Sequence, residues 1–421
     1  MSKALKVLVL GYVWPEPNSS AAGRHMLSLL HSFLSQQWQV TFASPALQGE
    51  HKIDLNELGI KEQHVALNCD SFDQFITDLQ PDIVLFDRFM LEEQFGWRVA
   101  KYCPNALRIL DTEDLHSLRH ARHQVLKQQR ELQTSDLNSD MAKREIAAIF
   151  RCDLSLIISE FEYQLLQSHY QVPAALLLHC PFMLELDQLQ QPTPGFQQRQ
   201  HFISIGNFRH EPNWDAVLWL KQSIWPLIRQ QLPQAELHIY GAYPPPKATQ
   251  LHNPKQGFLL KGWAKDARQV MTQARVCIAP LRFGAGLKGK LVEAMLCGTP
   301  SVTTSVGVEG MGAASLEQWP GLVSEFTPMQ QDDCAATIAS QAVALYQDQQ
   351  NWQHAQAKAA VWLAEYFDAR PLRAKLLARI AHIANNLAEH RGANFIGLML
   401  QHHQFKSTQY MAQWIEAKNR R

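Results

Sequence analysis

The sequence predicts an α/β protein of two parallel-sheet domains facing a central cleft, on three observations. Short continuous apolar runs alternate with longer amphipathic stretches, which is the pattern of strands covered by helices on both faces. The alternation occurs twice, and a Gln-rich stretch at about 187–200 with Pro192, Pro194 and Gly195 separates the two series as a linker. The length, 421 residues, suits two or three domains at roughly 100–200 residues each.

In the first series Lys6–Leu10 is a strand. Residues 23–36 follow as a helix, with Met26, Leu27, Leu30, Phe33 and Leu34 on one face. Further strands fall at 39–43, 81–86, 107–110 and 154–158, each separated by helical pattern. The second series places strands at 201–205, 236–240, 257–260, 276–280, 301–304 and 322–323, with the clearest helices at 215–231 and 288–297. From about 329 the pattern is nearly all helical and ends in a mildly basic tail at 401–421.

Composition narrows the function classes. The chain is 46% hydrophobic and 19% charged, enough apolar material for real cores and against wholesale disorder. Lys plus Arg (39) equals Asp plus Glu (39), whereas a protein gripping a nucleic-acid backbone shows a basic excess. The seven cysteines are odd in number and none has CxxC spacing, so they read as reduced thiols in a cytoplasmic protein. The apolar N-terminal run is short and leads into Trp14-Pro15 without a small-residue cleavage site, as expected of a first strand rather than a signal peptide. No run of 18 apolar residues occurs to span a membrane.

Open parallel sheets bind ligands beyond the carboxyl ends of their strands. After the strand at 276–280 comes Leu281-Arg282-Phe283-Gly284-Ala285-Gly286-Leu287-Lys288-Gly289-Lys290-Leu291-Val292-Glu293. Three glycines let backbone approach a ligand at the start of a helix, where amides and dipole attract anions. Arg282, Lys288 and Lys290 add cations, so the loop suits a diphosphate. Glu293 shares a helix face with Lys290 and can accept hydrogen bonds from two ribose hydroxyls. Read without function, Lys290 and Glu293 are a surface pair and the glycines shape a turn.

This stretch, with the following Leu296-Cys297-Gly298-Thr299-Pro300 and Val306-Gly307-Val308-Glu309-Gly310-Met311, resembles the sugar-donor signature of family 4 glycosyltransferases. These are retaining, nucleotide-sugar-dependent enzymes of the GT-B architecture, with two Rossmann-like domains. Ile205-Gly206-Asn207-Phe208-Arg209-His210-Glu211-Pro212-Asn213-Trp214-Asp215 and Ile109-Leu110-Asp111-Thr112-Glu113-Asp114-Leu115-His116-Ser117-Leu118-Arg119 resemble segments of one branch of that family. The resemblance implies an acceptor-side domain at 1–190, a donor domain at 200–370, and helices at 371–421 packing back on the first domain. It implies that Arg282 and Lys288 neutralise the diphosphate, Glu293 binds the ribose, and Gly286, Lys290 and the amides near Gly23 complete the contacts. Val308 and Glu309 would meet sugar and phosphates through their backbone, and His116 would face the transferred sugar. The chain departs from the family in carrying Ala285 where many members have Glu, and Asn207 and Asn213 where many have Arg and Lys; Arg209 or His210 would substitute.

The implied partners are a nucleotide-diphosphate sugar and a glycan, lipid-linked or other acceptor, with no metal or other cofactor. A nucleotide-sugar epimerase of the same architecture and a non-catalytic sugar-nucleotide or glycan-binding protein are alternatives. Among weaker signals, Asp111-Thr112-Glu113-Asp114 reads as an N-cap before a helix rather than a metal motif, and Ser159-Glu160-Phe161-Glu162 reads as an N-cap with an acidic first turn and no chemistry. Arg24 reads either as a contact to an anionic acceptor or as a helix-surface residue. The tail combines apolar residues with Lys406, Lys418, Arg420 and Arg421, compatible with peripheral contact at the inner face of the membrane or with packing on the first domain.

Overall fold

Lys6–Leu10 (β1) takes a central place in the first sheet, where Val7 to Leu10 are buried and pair in parallel with strands on both sides. The computed structural model describes residues 4–189, 193–312 and 316–419. In the N lobe β1 is joined by β2 (Gln39–Ser44), β3 (Lys61–His64), β4 (Ile83–Asp87), β5 (Leu107–Asp111), β6 (Leu154–Ile157) and β7 (Leu177–His179). All pairings are parallel, in the order β3-β2-β1-β4-β5-β6-β7. Helices α1 (Ala21–Leu34), α2 (Ser71–Leu79), α3 (Phe89–Tyr102), α4 (His116–Lys127), α5 (Asp140–Arg151) and α6 (Glu160–Ser168) cover its faces.

The C lobe repeats the scheme with β8 (Gln200–Ile205), β9 (Leu237–Tyr240), β10 (Phe258–Gly262), β11 (Ala274–Ala279), β12 (Ser301–Thr304) and β13 (Gly321–Ser324) in the order β10-β9-β8-β11-β12-β13. Its helices are α7 (Glu211–Trp219), α8 (Trp225–Gln231), α9 (Pro246–Thr249), α10 (Ala267–Gln273), α11 (Gly289–Leu296), α12 (Ser305–Val308), α13 (Gln331–Gln347) and α14 (Gln349–Phe367). The helix expected at 215–231 is interrupted by a π turn at Leu220–Ile224. Pro226, which has no N–H to continue the ladder, follows it. Two Rossmann-like parallel sheets facing a cleft are thus the fold, as expected from the sequence.

The chain returns to the N lobe after α14. Leu184 donates its N–H to Phe367 O at 2.8 Å and Ala369 donates to Leu184 O at 3.0 Å, so the outgoing and returning segments lie side by side. Leu376, Ile380 and Ile383 of α15 (Ala369–Asn385) enter the apolar cluster that contains Val7, Val9 and Leu29. After α16 (Leu387–Ala393), α17 (Phe395–Asn419) packs on α3 and α5, with Asn394 Nδ2 donating to Phe150 O at 2.7 Å. Phe395, Met399, Tyr410 and Trp414 on α17 are exposed, and among the described residues no helix is long and apolar enough to cross a membrane.

In each sheet the strand order reverses direction beside the first strand, between β1 and β4 and between β8 and β11. Crevices at such switch points are where open α/β sheets take ligands. The loops after β1, β8 and β11 meet between the lobes.

Candidate functional site

The loop from β11 to α11 touches the N lobe through its glycines. Gly286 has φ +61°, and a Cβ there would come 2.8 Å from Asp114 Cβ. Its N–H donates to Glu162 Oε1 at 2.6 Å. Gly289 lies so close to Ala21 that a Cβ would come 2.3 Å from the alanine methyl. The N-termini of α1 and α11 therefore abut. Each carries the positive end of its helix dipole, an arrangement that favours an anion between them.

Further contacts hold the lobes together around this point. Arg122 of α4 donates to both Glu309 oxygens, at 2.6 and 2.7 Å, and to Gly284 O at 2.9 Å. The His123 ring stacks on Phe283 with centroids 4.3 Å apart. Tyr243 donates its hydroxyl to the Glu16 carboxylate at 2.9 Å. Arg24 of α1 pairs with Glu293 of α11, whose other oxygen takes Arg268 Nε at 2.9 Å.

Cations collect in the crevice so formed. Lys288 is buried, and its Nζ donates to Ala285 O at 3.0 Å and Gly286 O at 2.6 Å. Burial pushes its pKa down to about 8 against the pull of Glu309 and Glu162. Lys290 donates to Asn213 Oδ1 at 2.6 Å and is likewise pushed down to about 8 by burial. His210 stands at the N-cap of α7 with its surface open to solvent and crowded by neighbouring protein atoms. The water displaced by those atoms, together with Arg119, Lys290, Lys288 and His116 nearby, holds its pKa well below the ordinary imidazole value. His116 is pushed down to about 3 by burial and by Arg88, so it is a neutral imidazole, with Nε2 3.3 Å from Asp114 Oδ1. The crevice therefore holds lysines and an arginine beside two neutral histidines.

Other expected residues lie differently. Arg282 does not join this cluster: both Asp215 oxygens hold its guanidinium, Nε at 2.9 Å, while Nη1 donates to Gln331 at 2.6 Å. It also lies over the Trp219 ring at 5.3 Å, so its charge is committed inside the C lobe. The Gly23 N–H is taken by the capping Ser20 Oγ at 3.0 Å, and a Cβ at Gly23 would come 2.6 Å from the Glu16 backbone. Gly23 thus serves close packing of the β1–α1 loop rather than offering its own amide. Arg209 lies 3.6 Å over the Tyr243 ring. Val308 is buried at the end of α12, and the Glu309 side chain is occupied by Arg122. Ala285 packs with N-lobe core residues, so the place where the resembled family carries Glu is filled by apolar contact.

Asp111–Asp114 do not cap α4. Leu115 stands at the N-cap, and Glu145 of α5 accepts from His116 N–H at 2.9 Å and Ser117 N–H at 3.0 Å. Asp114 instead pairs with Arg119. Glu113 sits at φ +59°, unusual for a residue with a Cβ, and burial beside Asp111 pushes its carboxyl up to about 8. Sequence reasoning missed Arg119, Arg122 and Glu162; helical spacing from His116 places Arg119 and His123 on adjoining faces, but nothing local points Glu162 at a glycine 124 residues away.

None of the curated proteins compared with the chain matches it. Residues 199–348 match the family described as glycosyl transferases group 1. That region holds β8 to β13 together with Arg209, His210, the glycine loop, Glu293, Val308 and Glu309. Among solved structures, sucrose-phosphate synthase from Thermosynechococcus elongatus is 14% identical with TM-score 0.64, over 90% of this chain and 99% of that one. HepE of Anabaena, solved in complex with UDP and glucose, is 14% identical with TM-score 0.66, again over 90% and 99%. A glycosyltransferase from Rickettsia africae ESF-5 is 14% identical with TM-score 0.63, over 91% and 100%. Identities this low speak for fold alone, and the shared fold is the two-lobed GT-B arrangement.

Proposed function

We propose that the protein is a glycosyltransferase of family 4 that moves a hexosyl group from a nucleoside-diphosphate donor to a glycan or lipid-linked acceptor, with retention at the anomeric carbon. The observation that carries this reading is the meeting of the α1 and α11 N-termini beside Lys288 and Lys290, two lysines held only by neutral oxygens, which places positive charge between the lobes where a diphosphate would sit. The match of residues 199–348 to glycosyl transferases group 1, and the fold shared with a protein solved with UDP and glucose, support the same donor class.

Breaking a glycosyl–phosphate bond develops negative charge on the leaving diphosphate. Lys288 and Lys290 would stabilise that charge, and removal of one such preorganised contact costs about 3–4 kcal/mol. Glu293 would hold the ribose, and His210, with Arg209 beside it, would border the phosphates. His116, neutral and on the acceptor-side lobe, would donate a hydrogen bond to the transferred sugar. Val308 and Glu309 would present backbone to it. The cations of the chain itself balance the leaving group in this scheme, without a metal. Closure of the lobes would exclude water and favour transfer over hydrolysis.

Thermal unfolding against UDP and a set of nucleotide sugars tests the donor class. A true donor at a hundredfold excess over its Kd adds ~2.7 kcal/mol of stability. No stabilisation by any nucleotide would sink the reading. An isomerised sugar from donor alone would make the protein an epimerase, and binding without turnover over a broad acceptor panel would make it a non-catalytic binder.

A further inference from the structure

Glu162, the third residue of α6, is fully buried where the N lobe meets the glycine loop of the C lobe. Its Oε1 accepts two backbone N–H groups, from Gly286 at 2.6 Å and from Leu115 at 3.1 Å. The first belongs to the loop that carries Lys288. The second is the residue before α4, which carries His116 and Arg119. Its other oxygen, Oε2, has no hydrogen-bond partner, and Lys288 and Arg122 are the cations acting on the carboxylate.

A buried carboxylate is costly, and an apolar side chain of similar size would fill the space without that cost. What an apolar side chain lacks is an acceptor for two amides from different lobes. The start of α6 makes a second interlobe contact as well. Ser159 lies so close to Gly310 that a Cβ at the glycine would come 1.9 Å from Ser159 Oγ, and Glu160 N–H donates to Gly310 O at 3.4 Å. One helix end thus docks on both C-lobe loops that flank the crevice, 284–288 and 307–310.

We propose that Glu162 is a positioning residue: when the lobes close, its carboxylate receives the Gly286 N–H and locks the glycine loop to the start of α4, setting Lys288 and His116 in register. The inference rests on the donor site proposed above and adds the group that aligns its two halves. Glu162 touches no substrate in this scheme. It acts through the backbone of residues 115 and 286.

The test uses the full chain as Glu162→Ala and Glu162→Gln. Gln keeps an oxygen that can accept both N–H groups, whereas Ala removes it. Hydrogen–deuterium exchange over residues 281–292 and 112–117 should rise in the Ala variant and return toward wild type in the Gln variant. Where UDP-glucose is turned over, kcat of the Ala variant should fall about 100-fold, the scale of a misplaced reacting group, with a much smaller change in UDP affinity and with Gln restoring most of the loss. Wild-type exchange in the Ala variant would overturn the proposal. So would a Gln variant as impaired as Ala, since the charge would then matter rather than the placement. If the Ala variant fails to fold, Glu162→Asp, whose shorter side chain cannot reach both amides, should raise exchange in the same segments; unchanged exchange there overturns the proposal too. Failure of UDP to bind the wild-type protein is a separate result that removes the donor reading and leaves the exchange measurement readable.

Discussion

Arg24 of α1 and Glu293 of α11 form an ion pair across the two lobes, with Arg268 on the second oxygen of the same carboxylate. Glu293 is buried, while Arg24 keeps part of its side chain open to the crevice. In the proposed reading the ribose hydroxyls arrive at this carboxylate, and Arg24 yields an oxygen to them. Glu293→Gln should therefore weaken UDP binding by about 1.5–3 kcal/mol, the worth of hydrogen bonds to a charged group. Inorganic pyrophosphate, which has no ribose, should not lose affinity in the same variant. Calorimetric titration with both ligands checks this, and an equal loss for both would remove Glu293 from the ribose.

Lys288 is the cation most deeply set in the glycine loop, held by the carbonyls of residues 285 and 286. Its ammonium hydrogen-bonds only carbonyls, so its removal takes no hydrogen bond from a carboxylate: Glu309 keeps Arg122, and Glu162 keeps its two amides and the nearby Arg122 charge. Lys288→Ala should lower turnover by roughly 10²–10³ while the protein stays folded. Turnover from UDP release, beside the thermal midpoint, is the measurement. Near-normal turnover would remove this lysine from the leaving-group contacts.

The two depressed lysines give opposite pH trends for binding and for stability. Lys288 and Lys290 titrate near 8 when folded, below the ordinary lysine value, because burial disfavours the charged form. A diphosphate needs them charged, so UDP affinity should fall as pH rises through about 8. For folding, the unfolded chain binds more protons than the native one between about 8 and the ordinary lysine value of ~10.4, so the lysine contribution to stability grows with pH over that window. Titrations of UDP at several pH values, with thermal midpoints of the ligand-free protein, should show affinity declining while this contribution rises. UDP affinity that stays flat from pH 7 to 9.5 would contradict it.

The α/β class and the two sheets were legible because parallel strands buried on both faces must be continuous apolar runs, as in Val7-Leu8-Val9-Leu10 and Val276-Cys277-Ile278-Ala279. Edge strand β3 was not, since Lys61-Glu62-Gln63-His64 is polar and mostly exposed and pairs on one side only. β7 has only three residues and follows a 3-10 turn after Pro173, too short for a periodicity. The glycine loop with Lys288, Lys290 and Glu293 was legible because its chemistry lies in one stretch of chain. The partners of that loop were not: Arg24, Arg122 and Glu162 reach it from the other lobe, and no local pattern encodes how two lobes face each other. The misread N-cap at Asp111–Asp114 has the same origin, because the carboxylate that caps α4 comes from Glu145 on a different helix.

Arg282 separates a cation in the glycine loop from a cation in the crevice. Its guanidinium is held by Asp215 and Gln331 and covers Trp219, joining β11's following loop to α7 and α13. Removing it leaves the partly buried Asp215 without its counter-charge, at a cost of about 1.5–3 kcal/mol for hydrogen bonds to a charged group. Arg282→Ala should thus lower the thermal midpoint more than Lys288→Ala does, while UDP affinity measured well below that midpoint changes less. Restoring length without the fork, as Arg282→Lys, should recover only part of the stability, since a single ammonium cannot make both bonds to Asp215 and reach Gln331 as well. A loss of UDP affinity in Arg282→Ala as large as in Lys288→Ala, at unchanged stability, would mean that the guanidinium leaves Asp215 for the diphosphate when the ligand binds.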